Sequence, residues 1–356
     1  MRMVPSTNRM TPTDDAIRRG LAFLAGRQLP SGQFPVQATS HWKPGSPIVD
    51  DASPFATSHV AYSLGFLPDA AVRPMLGRAL DYLRREMSGP GLWRYWNRDA
   101  TWEGRRILGF IPADLDDTAS HSWLLRKHGT AFPDNRHLLL HNRDGRGLFF
   151  TWFVPRARAT ADLRYWRAVL GEVTLARMTV FWKTTEAGYS DVDAVVNANV
   201  LLYLGERPET RPVVEWLGRI VDEGREAESD KWYRDLFTFH YALSRCHHAG
   251  IGGFGRLGPT IRDRLAAAAR ADGGVGEHPM HAALAVNSML NLGMDDPFLA
   301  RALGHLLETQ ADDGGWPSAP YYYGGPQKSV SWGSRELTTG LCLEALARAT
   351  EAGIGR

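Results

Sequence analysis

Cysteine is scarce in this chain, and long apolar runs are missing from it. Its 356 residues include two cysteines, Cys246 and Cys342, each inside an apolar helical pattern. Two thiols placed in this way exclude a disulfide scaffold and indicate buried, reduced side chains. No run of 18 apolar residues occurs, so we expect no membrane-spanning helix.

An excess of charge of one sign is also missing. The 41 basic and 39 acidic residues give a formal net charge of +2, which provides no reason to expect nucleic acid as a partner. The N-terminus lacks the apolar core of a signal peptide, and we interpret residues 1–12 as a disordered tail. With 44% hydrophobic residues, the sequence predicts a soluble, cytoplasmic globular protein of undetermined oligomeric state.

Three segments of the chain follow one template. Each begins with a basic and a small residue, continues with a ring and an aliphatic residue, and reaches Gln, which is Met in the second copy. A Gly-x-aromatic triplet then follows, and glycine ends helices by adopting positive φ. We expect the Gln and the aromatic ring to brace the turn after each helix. The copies run from Arg19 to Phe34, from Arg78 to Trp93 and from Arg301 to Trp316.

Charged amphipathic helices alternate along the chain with helices that have no broad polar face. A helix without a polar face is buried on most sides. The charged set is predicted at 14–28, 70–87, 163–179, 211–223, 259–271 and 297–310. The apolar set is predicted at 53–66, 118–125, 193–204, 236–246, 281–292 and 337–347. Six of each predict an all-α fold, an (α/α)6 barrel or α-toroid, formed by residues 13–356 as a single domain.

One segment, residues 129–160, interrupts this alternation. Its polar, glycine-rich stretch 142–147 precedes the aromatic, β-prone run 148–154. This order predicts a hairpin or a lid strand. Long insertions often cover a site, so we expect the segment to do so.

The stretch 111–121 carries three carboxylates in four positions. Asp114, Asp116 and Asp117 stand just before an apolar run, where Asp residues cap helices at roughly 1 kcal/mol each. Three acids exceed what capping needs, so we interpret the cluster as functional. The starts of the inner helices of a barrel meet at one rim, which gives further candidates for substrate binding. They are Asp191, Asp193, Asn197, Trp232, Tyr233, Phe237, Trp332 and Glu336.

These motifs resemble those of a known family. The repeats, most fully Gln310 to Trp316, resemble the QW motifs of squalene-hopene cyclase and related class II terpene cyclases. The stretch 112–119 is similar to their Asp-x-Asp-Asp-Thr-Ala signature. The resemblance implies an α-toroid that cyclises or isomerises an isoprenoid or meroterpenoid after protonating an alkene, which requires no cofactor. It implies Asp116 as the general acid, with Asp114 and Asp117 as hydrogen-bonded supports. Family members usually pair two helical domains, whereas this chain has length for one.

Protonating an alkene requires a neutral carboxylic acid. Crowded carboxyls favour retention of a proton, whereas a helix N-terminus favours the carboxylate. Asn197, Asn199 or His121 could orient the acid. The faces of aromatic rings would stabilise the resulting cation by about 0.5–2 kcal/mol each.

Three other functions remain open at this stage. Carboxylates on neighbouring helices could hold Mg²⁺ in a lyase or phosphohydrolase acting on a prenyl diphosphate. A carboxylate pair could instead hydrolyse glycosides. The third alternative is a non-catalytic isoprenoid-binding or scaffold toroid. The zinc-dependent protein prenyltransferase branch is rejected, because both cysteines lie away from the acidic stretch.

Overall fold

Helices make up most of this computed structural model, which describes residues 10–42, 46–102, 105–106, 111–156, 160–172, 181–183 and 185–354. Most of the predicted N-terminal tail therefore lies outside the described residues. In chain order the helices are α1 Pro12–Arg27, α2 Phe55–Leu64, α3 Asp69–Glu86, α4 Leu115–Lys127, α5 Arg136–His141, α6 Leu163–Glu172, α7 Ala194–Leu204, α8 Arg211–Glu223, α9 Leu236–His248, α10 Gly258–Ala267, α11 Pro279–Asn291, α12 Pro297–Glu308 and α13 Arg335–Ala352.

Six apolar helices, which we call the central helices, lie at the middle of the packing. Helices α2, α4, α7, α9, α11 and α13 contact one another in that order, and α13 contacts α2. The charged helices α1, α3, α8, α10 and α12 each contact a central helix. The predicted division into two sets is confirmed for these eleven helices. The charged helix predicted at 163–179 is seen as α6, and residues 173–179 are outside the described part.

Two glutamines of the repeat brace the turns that follow their helices. The Nε2 atom of each donates to two backbone carbonyls, one in its own turn and one in the next charged helix. This confirms the predicted structural role of the glutamine, and it also links neighbouring charged helices. The acceptors, at 2.8–2.9 Å, are Gly32 and Met75 for Gln28, and Gly314 and Ala16 for Gln310.

The aromatic residue of each copy attaches its turn to the central helix that follows. Its backbone N–H donates to a threonine hydroxyl near the start of that helix. The Trp93 and Trp316 side chains are also fully buried, with each indole N–H donating to a carbonyl of the preceding helix. The backbone pairs are Phe34 with Thr57 (2.9 Å), Trp93 with Thr118 (3.1 Å) and Trp316 with Thr339 (3.0 Å).

The turn itself occurs five times in the described residues, twice more than the sequence template found. In each, the N–H of the first residue donates to the carbonyl of the fifth, and the fourth is a glycine with positive φ. A Cβ on Gly32 or Gly314 would also collide with a carbonyl oxygen of a neighbouring helix, so no larger residue fits. The turns span 29–33, 88–92, 144–148, 270–274 and 311–315.

The segment predicted as an insertion contains one of these five turns. After the turn 144–148, the N–H of Phe149 donates to Oδ1 of Asn197 in α7 at 2.9 Å, as Trp93 does to Thr118. An antiparallel bridge joins Arg143 and Phe149, which confirms a minimal hairpin. The run 148–154 forms isolated bridges and no lid strand, because its backbone bonds to the starts of α4 and α7. Residues 157–159 are not described.

The all-α prediction omitted a small antiparallel sheet. Its strands lie in the order β2 (Val49–Asp51), β1 (Val36–Thr39), β6 (Val330–Gly333) and β5 (Tyr322–Gly324). The pairing of β1 with β6 joins a segment near the start of the chain to one near its end. Strands of three or four residues are too short to show a period of two, which is why the sequence pattern missed them. The strands are β1 Val36–Thr39, β2 Val49–Asp51, β5 Tyr322–Gly324 and β6 Val330–Gly333, with a separate pair β3 Thr101–Trp102 and β4 Arg105–Arg106.

Two smaller expectations concern the apolar interior. Cys246 and Cys342 are free and buried, which confirms their interpretation as packing residues. Within the described ranges, none of the helices combines the length and the apolar character needed to cross a membrane.

Candidate active site

The start of α4 brings three carboxyl groups together inside the protein. Asp114 is the N-cap, with extended backbone angles, and its Oδ1 accepts the N–H of Asp117 at 2.8 Å. Asp116 and Asp117 follow in the first turn. The exposed fractions of the three residues are 5%, 9% and 3%, respectively. The predicted position of the acidic cluster, on the first turn of an otherwise buried helix, is confirmed.

Asp116 accepts one hydrogen bond from helix α7 and one from the residues just before helix α9. Nδ2 of Asn199, in α7, donates to Oδ1 at 2.5 Å. The hydroxyl of Tyr233, just before α9, donates to Oδ2. Arg245 of α9 in turn donates to Oδ1 of Asn199 at 2.6 Å. Of the residues predicted to orient the acid, Asn199 is therefore the one that touches it.

Burial dominates the electrostatics of this cluster. It raises the pKa of Asp116, while the hydrogen bonds from Tyr233 and Asn199 and the charge of Arg245 oppose the rise. Burial and the charge of Asp116 raise the pKa of Asp114 to about 7. Burial and both neighbouring carboxylates raise the pKa of Asp117 well above its usual value. Desolvation thus outweighs the helix N-terminus and shifts the pKa of all three carboxyls upward.

Asp114 and Asp117 do not support Asp116 in the predicted way. Their carboxyl groups interact with each other, and Asp114 also caps the helix. Burial lowers the pKa of His121 to about 3, so its ring is neutral beside Asp117, with 3.8 Å between Nε2 and Oδ1. The hydrogen-bonded supports of Asp116 are instead Asn199 and Tyr233, which no local pattern around residue 116 could identify.

The second acidic pair lies apart from these hydrogen bonds. Asp191 pairs with Lys231 and accepts from the indole of Trp152 at 3.2 Å. Asp193 precedes α7 and accepts from the Thr151 hydroxyl at 2.5 Å. Both carboxylates hold the segments around 151 and 231 against the start of α7, as Asn197 holds Phe149. These contacts join three segments of the chain, and the part of the three side chains in substrate binding stays a prediction.

Aromatic rings surround Tyr233, which is the predicted aromatic residue that reaches Asp116. Its ring centre is 6.4 Å from Phe55, 5.7 Å from Tyr321 and 6.4 Å from Tyr322. Trp332 stacks on the far side, 5.2 Å from Tyr322, and donates its indole N–H to Asp51. Phe55 was missed because a ring at the start of an apolar helix has the same pattern as an ordinary core residue.

Three predicted binding residues have other contacts in the structure. Trp232 packs edge-on against Trp152 at 5.5 Å. Phe237 stacks on His281 at 4.3 Å. Glu336 forms an ion pair with Arg27 at 2.6 Å. The shared rim of the inner helices therefore did not suffice to place these side chains beside Asp116.

A small cavity lies among the central helices, one turn along α4 from Asp116. About 10 Å³ of it is open to the centre of a water-sized sphere, which is room for one water molecule. Protonation of an alkene by Asp116 requires a cavity beside it that is large enough for an isoprenoid, and that cavity stays a prediction. The cavity is lined by Ser58, His59, Tyr62, Ser120, Trp123, Leu124, Leu202 and Arg245.

A metal site was expected only for the magnesium alternative. In the described part of the chain, no three or more His, Cys, Asp or Glu side chains are grouped in a way that could hold a metal ion. His278 and His281 lie close together, with ring centres 3.7 Å apart, but no described residue joins them as a third ligand. The geometry therefore gives the magnesium alternative no support.

Comparison with known proteins gives a result for the structure but not for the sequence. No protein-family model and no curated protein matches the chain. Among solved structures, a protein from Actinoplanes is 20% identical, with 95% of this chain and 99% of that chain covered and a TM-score of 0.68. Type II terpene cyclase MstE from Scytonema, in complex with geranylgeranyl dihydroxybenzoate, is 18% identical, with 96% and 98% covered and a TM-score of 0.67.

The chain has the fold of a type II terpene cyclase. A further neighbour with this fold is ent-copalyl diphosphate synthase from Streptomyces platensis, at 19% identity and a TM-score of 0.52. The match covers 86% of this chain and 52% of the synthase, so the chain spans about half of that protein. At these identities the likeness establishes the fold, and the activity has to be argued from the site.

Proposed function

We propose that this protein is a class II-like terpene or meroterpenoid cyclase that protonates an alkene of an isoprenoid substrate with Asp116. The observation that carries the proposal is the setting of Asp116: a buried carboxyl with a raised pKa, held by two hydrogen bonds beside a group of aromatic rings. The shared fold supports it, since MstE was solved with geranylgeranyl dihydroxybenzoate and with merosterolic acid A as its product.

The proposed reaction is an isomerisation, so the substrate and the product contain the same atoms. The Asp116 carboxyl transfers its proton to one carbon of a C=C bond, which leaves a carboxylate and a carbocation. A neighbouring C=C bond attacks the cation, forming a C–C bond and moving the positive charge. Loss of a proton from the last cation ends the reaction and balances the first step. The faces of Tyr233, Phe55, Tyr321 and Tyr322 would stabilise the cations by about 0.5–2 kcal/mol each.

The wider architecture that we propose follows the same resemblance. The central helices and the charged helices, with α6 as the sixth, form an (α/α)6 barrel, and residues 13–356 form one domain. The Gln-containing turns correspond to the QW motifs and 112–119 to the Asp-x-Asp-Asp signature of squalene-hopene cyclase-like enzymes. No cofactor is needed for protonation, the ligand is an apolar isoprenoid, and the enzyme acts in the cytoplasm.

The test is turnover of isoprenoids by the protein and by Asp116→Asn. A panel of polyprenols, polyprenyl diphosphates and prenylated hydroxybenzoates is incubated with each protein, with and without EDTA, and products are identified by mass spectrometry. We expect wild type to convert one class to an isomer of equal mass in EDTA, and Asp116→Asn to be at least about 100-fold slower.

The matched control is Asp235→Asn. Asp235 is also a carboxylate at the start of a central helix, where it accepts the N–H of Thr238 at 2.7 Å, and Asn can still cap. We expect it to retain activity. Turnover by Asp116→Asn at the wild-type rate would remove the acid role, whereas activity that vanishes in EDTA would favour the magnesium-dependent alternative.

A second candidate is a non-catalytic isoprenoid-binding toroid. The observation in its favour is that the cavity one turn along α4 from Asp116 has room for one water molecule, which leaves no space there in which a polyene could fold for cyclisation. On this reading a prenylated ligand binds without being converted, and Asp116→Asn leaves its affinity unchanged. Titration calorimetry and product analysis on the same samples separate the two candidates.

A further inference from the structure

Arg245 is a buried cation that, among the described residues, forms no ion pair with a carboxylate. It lies in α9 with 4% of its surface exposed, and its guanidinium is 5.0 Å from the ring centre of Tyr62 and 4.9 Å from that of Tyr241. Among the described residues, no carboxylate oxygen lies within 4.0 Å of it, and its Nε has no hydrogen-bond partner. An unpaired buried charge destabilises a fold. Such an arrangement points to a role outside folding.

Arg348 shows what a structural arginine in this fold looks like. It lies in α13, is 8% exposed, and donates to Oδ1 of Asn291 at 2.7 Å, as Arg245 donates to Oδ1 of Asn199. Its guanidinium also covers an aromatic ring, at 4.6 Å. Unlike Arg245, it has a carboxylate partner, Glu344, at 3.2 Å. The two arginines therefore differ in charge compensation, and Arg348 is a natural control.

We propose that Arg245 is a positioning residue for the acid Asp116, an inference that rests on the function proposed above. Arginine has only donors, so the Oδ1 of Asn199 must face Arg245, and its Nδ2 must face Asp116. Asn199 then donates to Oδ1 of Asp116 in every protonation state. The transferable proton is consequently held on Oδ2, because its partner, the Tyr233 hydroxyl, can accept as well as donate, whereas the amide N–H at Oδ1 only donates.

Arg245 also acts on the energy of proton transfer. While Asp116 is neutral, the nearest opposite charge for the buried guanidinium among the described residues is Glu344, which acts on it without an ion pair and is already paired with Arg348. When Asp116 gives up its proton, the new carboxylate is separated from Arg245 by the single amide of Asn199. In a buried site this interaction stabilises the state after proton transfer more than the state before it, and so makes Asp116 a stronger acid.

Several other groups face Asp116 or Arg245 and bear on any pH dependence. Burial lowers the pKa of His59 to about 3, and it raises the pKa of each neighbouring tyrosine and of Cys246, so these groups keep one charge state near neutral pH. Burial also raises the pKa of three carboxyls, to about 7 for Asp114 and in the same direction for Asp117 and Glu344, so their charges bear on the same profile. A control for Glu344 is therefore needed, and Arg348→Lys supplies it because Arg348 is the partner of Glu344.

The first experiment is the pH dependence of kcat for wild type, Arg245→Gln, Arg245→Lys and Arg348→Lys. Activity requires protonated Asp116, so kcat falls as pH rises through its pKa. We expect Arg245→Gln to move this alkaline limb up by about one pH unit and to lower kcat about tenfold, with KM unchanged. Arg245→Lys keeps the charge and should fall between wild type and Arg245→Gln. Arg348→Lys should match wild type.

A second experiment needs no substrate. The free energy of unfolding is measured against pH for wild type, Asp116→Asn, Arg245→Gln and the double variant, which together form a double-mutant cycle. We expect coupling between Asp116 and Arg245 to be small at acid pH and to grow as Asp116 ionises. Coupling that stays constant with pH would overturn the inference, as would an alkaline limb that Arg245→Gln leaves in place.

The failures of the two proposals are distinguishable. Wild-type turnover by Asp116→Asn would defeat the proposed function, while the cycle would still decide whether Arg245 acts on Asp116. Loss of turnover in Asp116→Asn together with pH-independent coupling would leave the proposed function standing and remove Arg245 from it.

Discussion

Asn199 donates a hydrogen bond of 2.5 Å to Asp116 from the neighbouring central helix. Asn197, two residues earlier in α7, holds the backbone of Phe149 instead, through its Oδ1 and Nδ2 atoms. Two asparagines in the same helix thus make different kinds of contact. Asn199 contacts the acid of the candidate site, and Asn197 contacts the backbone of a neighbouring segment. The pair allows a direct comparison between function and stability.

We expect Asn197→Ala to lower stability without changing the site. It leaves the N–H and the carbonyl of Phe149 without partners, which should cost about 2 kcal/mol or more in the free energy of unfolding. Denaturant unfolding measures the loss, and kcat per folded molecule should stay at the wild-type value. Asn199→Ala is the matched variant, and it should lower kcat. Equal loss of kcat in both variants would contradict this division.

Tyr233→Phe removes one hydrogen bond to Asp116 and keeps the aromatic ring. Since that bond lowers the pKa of Asp116, its loss should raise the pKa further and weaken the acid. The alkaline limb of the pH–kcat profile should move to higher pH, and kcat should fall about tenfold. Tyr321→Phe is the control, because the Tyr321 ring packs 5.7 Å from that of Tyr233, yet Asp116 takes its hydrogen bonds from Tyr233 and Asn199. A Tyr321→Phe profile that shifts equally would show that the phenol of Tyr233 has no special role.

Stability should fall as pH rises from about 4 towards neutrality because of Asp114. Its folded pKa of about 7 lies above the usual 3.8, so the folded chain holds this proton more tightly than the unfolded chain does. The contribution of Asp114 to the free energy of unfolding is complete below its pKa in the unfolded chain. It disappears as pH rises through its pKa in the folded chain. Asp114→Asn, which can still cap α4, should flatten the slope of the free energy of unfolding between these values.

The control for this pH dependence is Asp134→Asn. The hydrogen bond from the Arg136 side chain lowers the pKa of Asp134 to about 2, so Asp134 is ionised over the whole pH range in which Asp114 titrates. Its removal should leave the slope as in wild type. Chemical denaturation at a series of pH values gives all three slopes, and an unchanged slope in Asp114→Asn would refute the assignment.

The repeat makes a prediction about stability alone. Gln28→Ala and Gln310→Ala each remove two hydrogen bonds to backbone carbonyls, and each should lower the free energy of unfolding by about 1–2 kcal/mol. The two losses in free energy of unfolding should add, because the turn after Gln28 follows α1 and the turn after Gln310 follows α12. Gln37, which makes an exposed contact to Asp50, is the control, and Gln37→Ala should stay near wild type.

The helices could be read from the sequence because their signals are local. Apolar periodicity and end signals of α2 and α8 lie within the segments that they describe, and the observed bounds differ from the predicted ones by a few residues. The cap at Asp114 and the acidic first turn of α4 are local in the same sense. Short-range signals of this kind need no knowledge of the remaining chain.

The repeat was found only where its most visible residues are present. The turns at 144–148 and 270–274 have the same backbone as the other three, but they follow Arg143 and Ala269 instead of the glutamine or methionine of the template. Gly147 and Gly273 provide the positive φ that the turn requires, but glycine alone is too common in the sequence to identify a repeat. The sequence therefore predicts the segment 129–160 as an insertion over the site, which stays a prediction. Within that segment, Phe149 attaches to α7 in the same way that Trp93 attaches to α4.

The sequence by itself determined the helices, the glycine turns and the placing of three carboxyls at the start of one buried helix, because each depends on residues within a few positions of one another. The tertiary structure alone decided that Asn199 rather than Asn197 meets Asp116, that Tyr233 is the ring that touches it, and that Arg245 bonds to Asn199 rather than to a carboxylate of the described chain. Those contacts join residues 46 to 117 positions apart, and only the packing of the central helices brings them within hydrogen-bonding distance.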